Sequence, residues 1–293
     1  MLEYWNLTRP KIVVMVLAAM LVSGWTAAGA AEPRGRAVSA RKWIELLHAV
    51  LGTTGVIVGA IALNQRLERQ GDAVMARTAG RPLPSGRLTD AAVTRFGAIA
   101  TLAGTGYLFL LGNAMLVILA VAGWVIYVFA YTPLKRRSIW QTPVGAAAGA
   151  MPALLGAAAA GEPLSPIGWS LFAVVFCWQL PHAMAIAWLY RGQLADAGIR
   201  VATVVDGSGR TAGVLAAIGA IALMPASLAP VFFLPTGWVY GVVAALLGLG
   251  YLFFSAVFFL RRDDVWARRL LWASLVYLPL VLTLLVLSAC RVD

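Results

Sequence analysis

The sequence predicts an all-helical integral membrane protein, and three observations support this class. Hydrophobic residues make up 61% of the 293 residues and charged residues only 12%, whereas soluble proteins average about 45–50% and about 25%. Nine stretches are apolar over the length that a bilayer requires, about 20 residues. These stretches are continuous and lack the alternation of a membrane β-barrel. We therefore expect a single transmembrane domain over residues 1–293.

The predicted spans follow one another along the whole chain. In order they cover residues 11–31, 43–64, 91–111, 113–131, 141–160, 166–190, 211–232, 237–260 and 269–290. The first also has the basic start, apolar core and small-residue exit of a cleaved signal peptide, but its apolar part has the length of a full span, which favours retention. Cys177 and Cys290 both fall within spans, so we expect no disulfide framework.

The basic residues predict the orientation of these spans. With the N-terminus inside, 18 of the 23 Lys and Arg residues lie on the inner side. The outer side holds Arg34, Arg36, Arg41, Lys42 and Arg291. Basic residues mark cytoplasmic loops, so we expect an N-in, C-out protein. The same rule accounts for the net charge of +11 without a nucleic-acid partner, and it places the long polar loops together on the cytoplasmic side. No Ser- and Arg-rich transit segment precedes the first span, which favours the bacterial inner membrane over an organelle.

The end of the second span carries an amide and two carboxylates. Asn64, Glu68 and Asp72 are spaced four apart, so a helix would place all three on one face. Such a face suits Mg²⁺, which takes a few protein oxygens together with water and phosphate oxygens. The alternative is a solvated helix end whose carboxylates pair with Arg66 and Arg69.

Two basic segments could complete a diphosphate site beside these oxygens. Arg77 and Arg81 precede a rigid turn, and Tyr131, Lys135 and Arg136 end the fourth span. One guanidinium group can bind two phosphate oxygens at once. Cationic side chains, together with Mg²⁺, stabilise the negative charge of a leaving diphosphate. Taken alone, the arginines are explained by the positive-inside rule and the second segment by stop-transfer charges.

One histidine lies within the sixth span. His182 follows Pro181, and an ionisable group inside a span is a functional hypothesis by default. The alternative is a structural histidine that bonds the carbonyl of Cys177, which Pro181 frees from the helix. His48, near the outer end of the second span, is interpreted as structural.

Three stretches carry a family resemblance. The chain resembles the protoheme IX farnesyltransferases (haem O synthases), a branch of the membrane prenyltransferase superfamily, in "ALNQRLERQGDAVMARTAGRPLPSG", "YTPLKRRSIWQTPVGAAAGAMPALLG" and "WQLPHAMAIA". The likeness runs in order from "LTRPK" to about residue 210. The N-x-x-x-[DE]-x-x-x-D element belongs to the whole superfamily, whereas "MxRTxxRPL", "YTPLKR" and "WQLPH" favour the haem branch.

The resemblance implies a fold, substrates and a cofactor. It implies nine helices around a central cavity, farnesyl diphosphate and haem B as substrates, and Mg²⁺ as cofactor. Protein partners would be a haem A synthase or the assembly factors of a terminal oxidase. We expect catalysis from Asn64, Glu68, Asp72 and Lys135, with the first three also binding the metal. We expect substrate binding from Arg77, Arg81, Tyr131, Arg136, His182 and Arg191.

The loop after "WQLPH" departs from the family pattern. The family usually has an acidic residue and a tyrosine where this chain has Gln193 and Leu194. The carboxylates of this loop are Asp196 and Asp206. We predict that they replace the missing metal ligand.

Three other functions fit parts of the sequence. A prenyltransferase for a quinone or chlorophyll precursor would share the oxygen face, although the narrower motifs favour haem. An anion transporter would need polar groups through the membrane midplane, where His182 is nearly alone. A haem-delivery protein could keep the fold without the chemistry, given the altered loop.

Overall fold

The computed structural model describes residues 2–31, 39–234 and 237–289. The regular structure in these ranges is helical, which confirms the predicted class. The α-helices, numbered in chain order, are α1 (Leu2–Thr8), α2 (Pro10–Ala31), α3 (Ala40–Val74), α4 (Asp90–Leu111), α5 (Ala114–Val125), α6 (Thr132–Leu134), α7 (Gln141–Ala159), α8 (Pro166–Leu189), α9 (Arg191–Asp196), α10 (Ala202–Val205), α11 (Arg210–Leu228), α12 (Gly237–Arg261) and α13 (Asp264–Ala289). A π-helical turn, Ile126–Tyr131, joins α5 to α6, and a 3₁₀ turn, Ala229–Phe232, follows α11.

Nine helices of the described ranges are long and apolar enough to cross a membrane, which confirms the predicted spans. They are α2, α3, α4, the continuous segment Ala114–Leu134, α7, α8, the segment Arg210–Phe232, α12 and α13. The orientation stays a prediction. Four residues that were used in the predictions on topology and disulfides lie outside the described residues, namely Arg34, Arg36, Cys290 and Arg291.

The second spanning helix is longer than its apolar stretch. The side chain of Ser39 caps its start by accepting a hydrogen bond from the Lys42 amide. The helix then continues ten residues past Asn64, to Val74, or about 15 Å at the helical rise. The predicted shared face of Asn64, Glu68 and Asp72 is therefore real, because all three lie on one uninterrupted helix.

Helix α7 holds the bundle together. It has the largest buried share of the nine spans and packs against α2, α3, α5 and α8. Ser23 of α2 donates a hydrogen bond to the carbonyl of Ala153 at 2.5 Å. A side chain at Gly156 would collide with the carbonyl of Met20, so glycine permits this close approach. Residues 143–149, by contrast, are mostly half-exposed and are small, apart from a proline and a valine.

Helix α8 carries a half-exposed stripe beside α7. Its half-exposed residues recur every three or four positions and include Phe172, Phe176, Gln179, Ala183 and Ile186. No residue from 170 to 189 is fully exposed, whereas α4, α12 and α13 present many exposed large apolar side chains. Helix α8 packs against α2, α7, α11 and α13, and Gln179 of the stripe donates to the carbonyl of Ala146 on α7. The stripe therefore borders the half-exposed residues 143–149, and we call the region between the two the interior recess.

Candidate active site

The oxygen face of α3 meets cations from two other segments. Glu68 forms an ion pair with Lys135 at 2.5 Å, and both side chains are less than one-fifth exposed. Asp72 is 1% exposed and pairs with Arg81. Asn64 donates from Nδ2 to the hydroxyl of Thr132 at 2.9 Å, in a buried contact. The three side chains thus touch the turn after α3 and the end of the fourth span.

The alternative partners considered from the sequence are wrong. Arg69 pairs with Asp90 instead, and Arg66 is exposed. Cations near in sequence therefore do not neutralise Glu68 and Asp72, as they would at a simple solvated helix end. The cations that do so arrive from residues 81 and 135, and this arrangement requires the folded loops.

Lys135 is the most connected cation of the site. Its ammonium also lies 4.4 Å from the centre of the Tyr131 ring. Burial alone would lower the pKa of Lys135, but Tyr131 and Glu68 outweigh it and hold the pKa above its ordinary value. Lys135 therefore stays positively charged at neutral pH. Its carbonyl accepts a hydrogen bond from the Arg200 amide at 2.7 Å, which ties the loop after α8 to the site.

A pocket of about 170 Å³ opens between these segments. Its polar lining includes Glu68, Asp72, Thr132, Lys135 and Arg136. Apolar and backbone walls come from Leu67, Gly71, Met75, Pro133, Ala197 and Ile199. A pocket lined by both carboxylates and two cations, at the end of a spanning helix, can hold a metal-bound anion whose apolar part remains in the bilayer.

Two further predicted cations lie on the loops around this pocket. Arg77 is exposed, and its guanidinium carbon lies 5.0 Å from the centre of the Tyr190 ring. Arg191 pairs with Asp264 at 2.9 Å and stacks on Trp188 at 4.7 Å. Neither arginine lines the pocket itself. Their roles in substrate binding stay predictions.

The altered loop places its carboxylates outside the pocket lining. Asp196 is exposed at the end of α9, whereas Leu194 is buried and Gln193 half-buried. The Oδ1 and Oδ2 atoms of Asp206 accept hydrogen bonds of 2.6–3.0 Å from Ser208, in the turn before α11, and from Thr211, in the first turn of α11. These bonds, led by the one from the Ser208 hydroxyl, hold the pKa of Asp206 far below its usual range. Metal binding by either carboxylate stays a prediction.

His182 has a different partner from the one considered in the sequence. Its Nδ1 lies 2.7 Å from the hydroxyl of Ser274 on α13, not against the carbonyl of Cys177. Its ring stacks on Trp178, one turn earlier on α8, with centroids 4.7 Å apart. His48 similarly contacts a hydroxyl, that of Tyr107, at 2.8 Å.

Sequence reasoning missed Arg9, the residue between α1 and α2. Its positive charge acts on Asp72 and on Tyr127, so it belongs to the electrostatic environment of the site. Its φ of 51° is left-handed, a conformation that is uncommon for residues other than glycine. Its position before Pro10 indicated only a break in the helix, because proline disfavours helical geometry in the residue before it; it gave no signal for a place near the site.

Helix α1 is fixed against α3 by polar and apolar contacts, which positions Arg9. Gln65 donates from Nε2 to the carbonyl of Leu7 at 2.7 Å. Glu3 pairs with Arg87 of the loop after α3 at 2.9 Å. Leu7 also packs in a cluster with Ala62, Leu83 and Val93.

Comparison with known proteins identifies the family. The family model described as "UbiA prenyltransferase family" matches residues 13–278. The chain belongs to the UbiA prenyltransferase family. It is 40% identical to the protoheme IX farnesyltransferase of Solibacter usitatus, over 98% of this chain and 99% of that protein. It is 38% identical to the protein of the same name from Rhodopirellula baltica, over 97% and 99%. The resemblance predicted from the motifs is confirmed.

Solved structures of other membrane proteins share the fold. One, from work on digeranylgeranylglyceryl phosphate synthase in membranes, has a TM-score of 0.80 at 14% identity and covers 99% of this chain and 98% of that chain. Another, a UbiA homolog from Archaeoglobus fulgidus bound to GPP and Mg²⁺, has a TM-score of 0.61 at 14% identity, over 97% and 99%. The membrane prenyltransferase fold is therefore shown independently of the sequence motifs.

Proposed function

We propose that this chain transfers the farnesyl group of farnesyl diphosphate to a vinyl group of haem B, with addition of water, giving haem O and diphosphate. The observation that carries the proposal is the pocket at the end of α3, which Glu68, Asp72, Lys135 and Arg136 line. Glu68 pairs there with Lys135, and Asp72 pairs with Arg81, which lies outside the lining. The names of relatives at 38–40% identity over nearly the full length support haem as the acceptor.

The ion pairs of the site prepare it for a diphosphate. With carboxylates and cations already paired, charged side chains are buried without a large net charge, which limits their desolvation cost. When the diphosphate enters, Arg81 and Lys135 exchange carboxylate oxygens for phosphate oxygens. Arg136, at the pocket wall, adds a third cation. These groups stabilise the negative charge that builds up on the leaving diphosphate.

The oxygen donors fit a Mg²⁺ ion that binds together with the substrate. Among the described residues no group of three or more His, Cys, Asp or Glu side chains could hold a metal by itself. Glu68 and Asp72 provide the one or two carboxylates with which Mg²⁺ is usually bound beside phosphate. Asn64 bonds Thr132 through its amide nitrogen, so its amide oxygen is the atom that would bind the metal. When bound, Mg²⁺ would neutralise diphosphate charge. We therefore propose Mg²⁺ dependence, with these three residues as its ligands.

The bond changes define what the rest of the chain must do. The C1–O bond of farnesyl diphosphate breaks and its electron pair leaves with the diphosphate. The vinyl π electrons of haem B form the new C–C bond, and water adds to the cation beside the ring and loses a proton. The apolar walls of the interior recess must exclude other water, because water would quench the farnesyl cation. The distribution of basic residues supports a site on the cytoplasmic side.

The test is product analysis with purified protein in lipid vesicles. Farnesyl diphosphate, haem B and Mg²⁺ should yield haem O, identified by mass spectrometry after haem extraction. Omitting Mg²⁺ should abolish the product. A parallel reaction supplies a quinone precursor in place of haem B. If that precursor is prenylated while haem B is left unchanged, the acceptor is wrong; haem binding without any product would identify a haem-delivery protein instead.

A further inference from the structure

The hydroxyl of Ser274 links His182 to the backbone of α13. It lies 2.6 Å from the carbonyl of Leu271, to which it donates, and 2.7 Å from His182 Nδ1. A hydroxyl has one proton and two acceptor lone pairs, so with its proton on the Leu271 carbonyl it accepts from His182 Nδ1. In this arrangement His182 carries its proton on Nδ1, and Nε2 keeps an unshared electron pair.

The surroundings fix the direction of this imidazole as well as its tautomer. The ring stacks on Trp178 with an interplanar angle of 20°, and Trp178 in turn donates from Nε1 to the carbonyl of Ser274 at 2.9 Å. Two side chains of α8 are thus held against one residue of α13. A hydrogen bond to one ring nitrogen that orients the other is the usual arrangement around a metal-binding histidine.

His182 also lies where a ligand can reach it. It is half-exposed, next to Ala183 on the open stripe of α8 and one turn from Gln179. Gln179 donates to the carbonyl of Ala146 on α7 at 3.3 Å, so this level of α8 faces the recess wall formed by α7. A neutral imidazole nitrogen in an apolar recess is a ligand for a transition metal.

We propose that Nε2 of His182 binds the iron of the haem substrate, and that Ser274 is the positioning residue that keeps this nitrogen deprotonated. The proposal rests on the proposed function, since it takes haem B as the acceptor. Binding the iron on one face would fix the depth and rotation of the porphyrin in the recess, and so select which vinyl group faces the prenyl donor.

The experiment compares haem B with metal-free protoporphyrin IX, using purified protein in detergent. The variant His182→Ala should weaken haem B binding and shift its Soret band, yet leave the affinity for protoporphyrin IX unchanged; added imidazole should restore the spectrum. Ser274→Ala should weaken haem B binding about 10- to 100-fold, as loss of an outer hydrogen bond to a metal ligand commonly does. His48→Ala, which removes the other hydroxyl-bonded histidine, is the matched control and should bind as wild type.

The outcomes separate this proposal from the proposed function. An unchanged haem B spectrum in His182→Ala, or an equal loss of affinity for both porphyrins, overturns iron ligation even if the wild-type protein makes haem O. If the wild type makes no haem O but His182→Ala still loses iron-specific binding, the proposed reaction fails and the iron site stands.

Discussion

The variant Asp72→Asn tests whether the carboxylate of Asp72 serves chemistry or only pairs with Arg81. The substitution keeps the shape of the side chain and removes its charge. Asp72 is 1% exposed and Arg81 19% exposed, so the arginine loses a buried partner but keeps some contact with water. Breaking a fully buried pair costs about 3–5 kcal/mol, and partial exposure reduces this to about 1–3 kcal/mol of unfolding free energy. We expect haem O formation to fall much further, by about 10²- to 10³-fold, the loss usual for one stabilising group at a reacting centre.

The double variant Asp72→Asn with Arg81→Gln separates these two effects. It removes both charges, so stability should recover relative to Asp72→Asn, whereas activity should not. The assays are thermal unfolding in detergent and haem O formation in vesicles. Asp90→Asn is the control, since it breaks the exposed Arg69–Asp90 pair, which should be worth at most about 1 kcal/mol. Wild-type turnover in Asp72→Asn, or recovered turnover in the double variant, would refute the metal–diphosphate role.

Three further predictions concern the remaining carboxylates. Glu68→Gln should lower haem O formation to a similar degree while the protein still accumulates in membranes, because the metal needs charge; full activity on a product assay would contradict this. Asp196→Asn should raise the Mg²⁺ concentration required for half-maximal activity if this exposed carboxylate binds a second ion, and an unchanged Mg²⁺ titration would exclude it. Asp206 has a lowered pKa because Ser208 and Thr211 donate to it, so its stabilising effect is complete above the ordinary aspartate pKa of about 4 and is lost as the pH falls through the lowered value. Asp206→Ala should therefore lower the melting temperature at pH 7 and make little difference in strong acid; an equal loss at both pH values would refute the turn-stabilising role.

The spans and the oxygen face were predictable because they depend on local pattern. Hydropathy over about 20 residues is a property of each segment alone, and the spacing of Asn64, Glu68 and Asp72 places them on one face of any helix. The partners of these side chains were not predictable in the same way. Arg81 reaches Asp72 only because the turn after α3 folds back on the helix. The nearer Arg69 takes Asp90 instead.

Contacts between helices that are distant in sequence could be predicted even less well. Nothing in the order of residues indicates that Ser274 lies beside His182, 92 positions earlier, because that contact depends on how α13 packs against α8. The electrostatic effect of Arg9 on Asp72 also depends on the tertiary fold. From the sequence alone, this arginine could not be distinguished from the general excess of basic residues at the ends of inner spans.

The π-helical turn Ile126–Tyr131 determines in which direction the side chains that follow it on the fourth span point. A π-turn accommodates one residue more than the α-helix around it, and each residue of an α-helix corresponds to about 100° of rotation. Shortening this turn by one residue would swing Thr132 and Lys135 by about that angle, away from Asn64 and Glu68, without altering either side chain. The fourth span therefore tolerates substitutions on its lipid side more readily than any change in its length.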